Sequence, residues 1–184
     1  MTSHPRAKLM TAEEFLDYGE DGYRYDLIDG RVVRMSPAGR RHGRIAVQIA
    51  KPLSIFVDDR GLGEVYAAET GFILARNPDV VVGPDVSFVR ADRLTVDIDD
   101  EGFLPLAPDF AVEVISPSER AGRIRVKVQK YLDAGVPLLV LLYPRRRQVA
   151  VYRDGIVEML GPGDVLDGGE VLPGFRLPLA GLFE

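Results

Sequence analysis

Two stretches of the chain are almost wholly apolar, Phe110–Ile115 and Pro137–Tyr143. Their short length and β-branched content predict strands buried on both faces. Between them Ala121, Ile124, Val128, Tyr131 and Leu132 recur at helical spacing, and Gly135 closes the segment. Strand, helix and strand in that order predict a crossover that joins parallel neighbours. One residue breaks the apolar run. Glu113 sits in the middle of the first strand, where a carboxylate costs several kcal/mol unless it is paired or bound to a cation. A structural ion pair with an arginine is the plain reading of such a residue, and a metal ligand or catalytic carboxylate the sharper one.

The rest of the chain alternates in shorter units. Thr11-Ala-Glu-Glu14 has capping-box spacing and predicts a short helix to about Tyr18, ended by Gly19 and Gly22. Asp29-Gly30 between Tyr25–Ile28 and Val32–Met35 predicts a hairpin, as does Asp154-Gly155 between Gln148–Arg153 and Ile156–Leu160. Ile45, Val47, Ile49, Leu53 and Phe56 predict a helix from Arg41 to about Asp59, with Pro52 expected to kink or interrupt it. One or two strands are expected over Glu64–Ala75, a turn at Asn77-Pro-Asp79 and a short strand at Val80–Val82. Gly83–Val89 predicts a strand that begins at Pro84, which leaves Asp85 at its mouth. The acidic stretch Asp92–Leu106 is expected to be a mobile loop. The pattern as a whole predicts an α/β (α+β) fold, a central mixed β-sheet flanked by helices. It predicts one domain over 1–184, with 1–8 disordered and 161–184 a loop-rich C-terminal extension.

Composition narrows the chemistry. There are no cysteines, which excludes disulfides, zinc–thiolate sites and thiol catalysis and fits a cytoplasmic protein. No apolar run nears the ~18 residues that span a membrane, and no leader is visible at the N-terminus. The net charge of −5 argues against a coat protein for nucleic acid. Local basic clusters remain, at Arg40–Arg44, at Arg120–Lys130 and at Arg145–Arg147; for the last a solvated face is the plain reading.

Asp26, Asp85 and Glu113 lie in or at the start of predicted strands. If the strands of Asp85 and Glu113 pair, one cation can reach both carboxylates. Oxygen ligands without Cys and with little His point to Mg²⁺ or Mn²⁺. Asp109 shares strand parity with Glu113 but lies roughly 13 Å along the strand, and reads as a strand-start residue. Lys127 falls at the edge of the helical stripe, where a snorkelling lysine can project its amine along the sheet without a role in folding. A metal with a nearby cation suits phosphodiester hydrolysis.

Tyr-Asp-Leu-Ile-Asp-Gly (25–30), Gly-Pro-Asp-Val-Ser-Phe (83–88), Pro-Asp-Phe-Ala-Val-Glu-Val-Ile-Ser-Pro-Ser (108–118) and Lys-Val-Gln-Lys-Tyr-Leu-Asp-Ala-Gly-Val (127–136) resemble the bacterial Uma-type restriction endonuclease family of the PD-(D/E)XK superfamily. The resemblance runs from about Thr11 to Tyr152. It implies a restriction-endonuclease-like fold, with Asp85 as the Asp of the Pro-Asp motif and Glu113 as the acid of E-X-K. It implies the Val114 carbonyl as a further metal ligand. Ile115 stands where the superfamily lysine falls, and the family's helix lysine matches Lys127. Asp26 stands where relatives commonly carry Glu, a longer side chain.

The function expected is a Mg²⁺-dependent DNA endonuclease, with DNA as substrate. A catalytically silent nucleic-acid-binding or regulatory module on the same fold, and a metal-dependent phosphoesterase with another substrate, are the alternatives. Handling both strands of a duplex implies a homodimer.

Overall fold

The computed structural model describes residues 8–19, 21, 23–94 and 101–184. Helix α1 (Ala12–Leu16) leads into the hairpin β1 (Tyr25–Ile28) and β2 (Arg31–Arg34), then α2 (Arg40–Asp58). Strands β3 (Gly63–Ala67), β4 (Phe72–Ala75), β5 (Val80–Val82), β6 (Val86–Arg90) and β7 (Phe110–Val114) follow. Helix α3 (Ala121–Asp133) then precedes β8 (Leu138–Tyr143), β9 (Gln148–Arg153) and β10 (Ile156–Leu160), and the chain closes with β11 (Val165–Asp167) and β12 (Arg176–Pro178).

The main sheet is mixed, in the order β10-β9-β8-β7-β6-β3. Its one parallel pair is β7 with β8, joined through α3 as the sequence pattern requires. A smaller antiparallel sheet has the order β2-β1-β5-β4. Both Asp-Gly turns form: φ is 51° and 69° at Asp29 and Gly30, and 52° and 73° at Asp154 and Gly155, the positive pair that a two-residue hairpin needs.

Strand parity sorts the core. Phe110, Val112 and Val114 point to one face of the main sheet with Leu138, Val140 and Leu142, where Ile45, Ile49, Leu53 and Val57 of α2 cover them. Ala111, Leu139 and Leu141 point to the other face, against Tyr131 of α3 and Val80 and Val82 of the small sheet. Helix α3 is therefore held between the two sheets, and Glu113, on the parity of Ala111, faces it.

Several expectations change. Helix α2 runs through Pro52 without a break; its four buried residues at i, i+4 spacing clamp both sides of the proline to the sheet. On α3, Lys127 and Tyr131 are the buried residues, whereas Ala121 and Leu132 are exposed. The expected loop-rich C-terminal extension carries the short strands β11 and β12, and its Leu172, Phe175, Leu179 and Leu182 are buried in the α2-side core. Of the expected Asp92–Leu106 loop, 95–100 lie outside the described residues. The part that is described is tied down: Leu104 is buried and bridges to Phe72. Helix α1 stops at Leu16 with its capping box formed; Gly22 lies outside the described residues. No helix among the described residues is long and apolar enough to cross a membrane.

Candidate active site

Strands β6 and β7 are antiparallel neighbours with Val86 opposite Val112. Continued by one residue, that register sets Asp85 across from Glu113 at the end of the pair. The backbone N–H of Asp85 still donates to the Val112 carbonyl at 2.9 Å, so the chain entering β6 after Pro84 is fixed in place. Both carboxylates are buried, at 5% and 9% exposure, on the wall of a cavity of about 380 Å³. Asp26, Val114 and Lys127 line the same cavity, so all five candidates named from the sequence converge on it.

Lys127 and Tyr131 are one helical turn apart on the face of α3 turned to the sheet. The Tyr131 hydroxyl donates to Glu113 Oε1 at 2.5 Å, and Lys127 Nζ lies 2.8 Å from the same oxygen. On its other side Lys127 Nζ lies 3.0 Å from Asp26 Oδ2 of β1. Both contacts are at salt-bridge distance, so the ammonium is held between two carboxylates. At 8% exposure Lys127 is not the edge residue that periodicity implied. The small sheet closes over α3 and turns its polar flank into an interior. Asp26 Oδ1 accepts from the Gly83 N–H at 3.3 Å, which links it to the turn that presents Asp85.

Asp85 Oδ2 accepts from the Val114 N–H at 2.7 Å and lies 3.1 Å from His42 Nε2. Its Oδ1 has only a long contact, 3.5 Å to Arg24 Nη1. Burial raises the Asp85 carboxyl, but His42, the Val114 N–H and Arg24 outweigh it and hold the group below its ordinary range. Glu113 goes the other way. Burial pushes its carboxyl up to about 7, Lys127 opposes, and Asp85 and Asp26 add to the rise. For Lys127 burial acts against the charge, but Asp26 and Glu113 prevail and hold the ammonium protonated well above its ordinary value.

His42, Tyr131 and Arg24 were not singled out as site residues from the sequence. In the sequence His42 belongs to the basic run at Arg40–Arg44 and Tyr131 to the apolar stripe; the i, i+4 spacing of Lys127 and Tyr131 is the available signal. Asp109 is away from the cavity, as its position implied. It accepts from the Arg90 N–H at 2.9 Å and pairs with Arg93 at 2.9 Å. Lys130 also lies outside the cavity, where it pairs with Asp29 at 2.6 Å.

The donor set suits a hard divalent cation of modest demand. Two carboxylates from neighbouring strands and one backbone carbonyl are what Mg²⁺ commonly takes from a protein, with waters for the remainder. Each acid is anchored through one oxygen. Among the described residues the other has a long contact in Asp85 and none in Glu113. Among the described residues no group of three or more His, Cys, Asp and Glu side chains forms a ready-made metal cage.

The same fold occurs in the crystal structure of a protein from Anabaena variabilis described as "a putative nuclease belonging to DUF820". The TM-score is 0.80 at 20% identity, over 95% of this chain and 97% of that one. No curated protein matches the chain. Residues 12–180 match the family model Uma2, described as "Putative restriction endonuclease", and the chain belongs to that family.

Proposed function

We propose that the protein is a Mg²⁺- or Mn²⁺-dependent endonuclease that hydrolyses phosphodiester bonds in DNA. The observation that carries this reading is the convergence of Asp85, Glu113 and Lys127 on one cavity at the end of two paired strands. Membership of the Uma2 family supports it. Asp85, Glu113 and the Val114 carbonyl are the proposed metal ligands. When bound, the cation supplies Lewis acidity toward a phosphate oxygen and lowers the pKa of a water.

The remaining roles belong to the chain. The Val114 N–H and His42 orient Asp85 and keep it ionised. Tyr131 fixes Glu113 by donating to Oε1, which leaves Oε2 for a ligand. Lys127 sits between Glu113 and Asp26, with its charge available to a phosphoryl oxygen as negative charge develops. Asp26 holds Lys127 in place, a role that does not need the longer side chain of Glu. The proposed substrate sets the protein's work in the cytoplasm, and a duplex substrate favours a homodimer.

The test is incubation of purified protein with supercoiled plasmid, RNA and small phosphodiesters, each in Mg²⁺, Mn²⁺ or EDTA. Plasmid nicking with either cation and none in EDTA is the expected result. Hydrolysis of the small esters without plasmid cleavage overturns the choice of substrate.

A further inference from the structure

The turn Ser116–Glu119 stands as a ridge between two cavities. One holds the carboxylates. The other, of about 450 Å³, lies between α3 and the turn after β8, and Ser116 and Glu119 line both. The second cavity is walled by Arg125, Arg145 and Arg146 together with Tyr143 and Tyr152, and Glu119 is the single acid among its lining residues. Parallel pairing explains its position. Val114 lies opposite Leu142, so Tyr143 and the arginine turn leave the sheet beside Ile115 and Ser116, one strand spacing of about 4.8 Å from the strand of Glu113.

The charge on this edge is mostly positive among the described residues, with Glu119 the acid that lines both cavities. Arg120 and Arg123 at the first cavity and Arg125, Arg145 and Arg146 at the second are all exposed. Among the described residues none of the five makes an ion pair; other exposed arginines such as Arg31 and Arg60 make none either, and what sets the five apart is that they gather around two adjoining cavities that share Ser116 and Glu119. In a chain of net charge −5, acids were available to neutralise them. The Arg146 guanidinium also lies 5.6 Å from the Tyr143 ring centre, within cation–π range. A free guanidinium offers the planar, two-pronged donor geometry that phosphate oxygens accept.

We infer that this groove is a backbone track for duplex DNA, leading a strand from the carboxylate cavity over Ser116–Glu119 to Arg145 and Arg146. The inference rests on the nuclease reading of the first cavity. Because the arginines meet phosphate, the track carries no base preference.

The test is binding of a fluorescent duplex in EDTA across a range of salt, with wild type and with Arg125→Ala, Arg145→Ala, Arg146→Ala combined. Loss of three phosphate contacts lowers the slope of log affinity against log salt by about 2 to 3. Arg31→Ala, Lys51→Ala, Arg60→Ala combined removes the same charge outside both cavities and is expected to keep the wild-type slope. An unchanged slope in the groove variant overturns the track. So does an equal drop in the control, or a wild type that prefers single-stranded RNA and loses that preference in the groove variant. A wild type that binds duplex through these arginines but cuts none in Mg²⁺ or Mn²⁺ overturns the nuclease reading and leaves the track standing.

Discussion

Lys127 Nζ lies 3.0 Å from Asp26 Oδ2, across the gap between the two sheets. The same ammonium is 2.8 Å from Glu113, so one buried cation joins β1 of the small sheet to β7 of the large one. Removing it leaves two buried acids without a cation, with only the Tyr131 hydroxyl on Glu113 and the Gly83 N–H on Asp26. Lys127→Met is expected to cost about 3–5 kcal/mol of stability, the scale for breaking a buried pair from one side. Asp26→Asn combined with Lys127→Met is expected to be less damaging than Lys127→Met alone. Thermal denaturation with and without Mn²⁺ reads this out, and added Mn²⁺ is expected to recover part of the loss. A melting temperature equal to wild type contradicts the bridging role. In plasmid cleavage below its melting point, the same variant is expected to lose roughly 10²–10³ in rate, the scale for one transition-state donor.

His42 acts on Asp85 from α2 at 3.1 Å. His42→Ala removes one of the contacts that hold the Asp85 carboxyl low, so its pKa is expected to rise. Carboxyl NMR titration of wild type and variant measures the shift directly. An unmoved or lower Asp85 pKa rules out this role for the histidine.

Burial gives Glu113 the opposite pH signature. Its carboxyl is raised from 4.5 to about 7, so between those values the folded chain holds a proton that the unfolded chain has released. Its contribution to stability is full below about 4.5 and is lost as pH rises through about 7. Relative to Glu113→Gln, wild type without metal is expected to lose on the order of 1–3 kcal/mol across that window. Urea denaturation of both proteins from pH 4 to 8 checks the sign. A difference that grows in favour of wild type with rising pH shows that the ion pair with Lys127 dominates instead.

Strand β10 forms one edge of the main sheet. It exposes Ile156, Val157 and Met159 at 69%, 50% and 53%, and carries neither the lysine nor the proline that guards many edges. Pairing of this edge with a second copy is the expected basis of the homodimer. Light scattering at tens of micromolar is expected to give twice the chain mass of 20.3 kDa for wild type, and the chain mass for Val157→Lys. A monomeric wild type contradicts the dimer.

Much of this site was legible because its parts are local. Glu113 stood out in an apolar run, Asp85 followed a proline at a strand mouth, and the strand–helix–strand order brought Lys127 to the same end of the sheet. The burial of Lys127 was not legible, because it depends on β1 pairing with β5 through Leu27 and Val81, residues far apart in the chain. That pairing lays the small sheet over α3 and turns Asp26 inward. His42 was hidden for a related reason: within Arg40–Arg44 it reads as one more surface charge, and only the packing of α2 across the sheet brings it to Asp85. Pro52 suggests a kink or an interruption, and the helix is not interrupted there. The four core contacts that keep α2 helical on both sides of Pro52 are tertiary, and helix propensity carries no record of them.

Asp85→Asn keeps the size of the side chain and an acceptor for the Val114 N–H but removes the charge of one proposed metal ligand. Plasmid nicking in Mn²⁺ by this variant, beside wild type with and without EDTA, tests whether the carboxylate cavity is a metal-dependent nuclease site. Wild type is expected to nick only without EDTA, and Asp85→Asn to be slower by at least about 10², the loss expected when one stabilising charge is removed. Nicking by Asp85→Asn at the wild-type rate, or by wild type in EDTA, contradicts it.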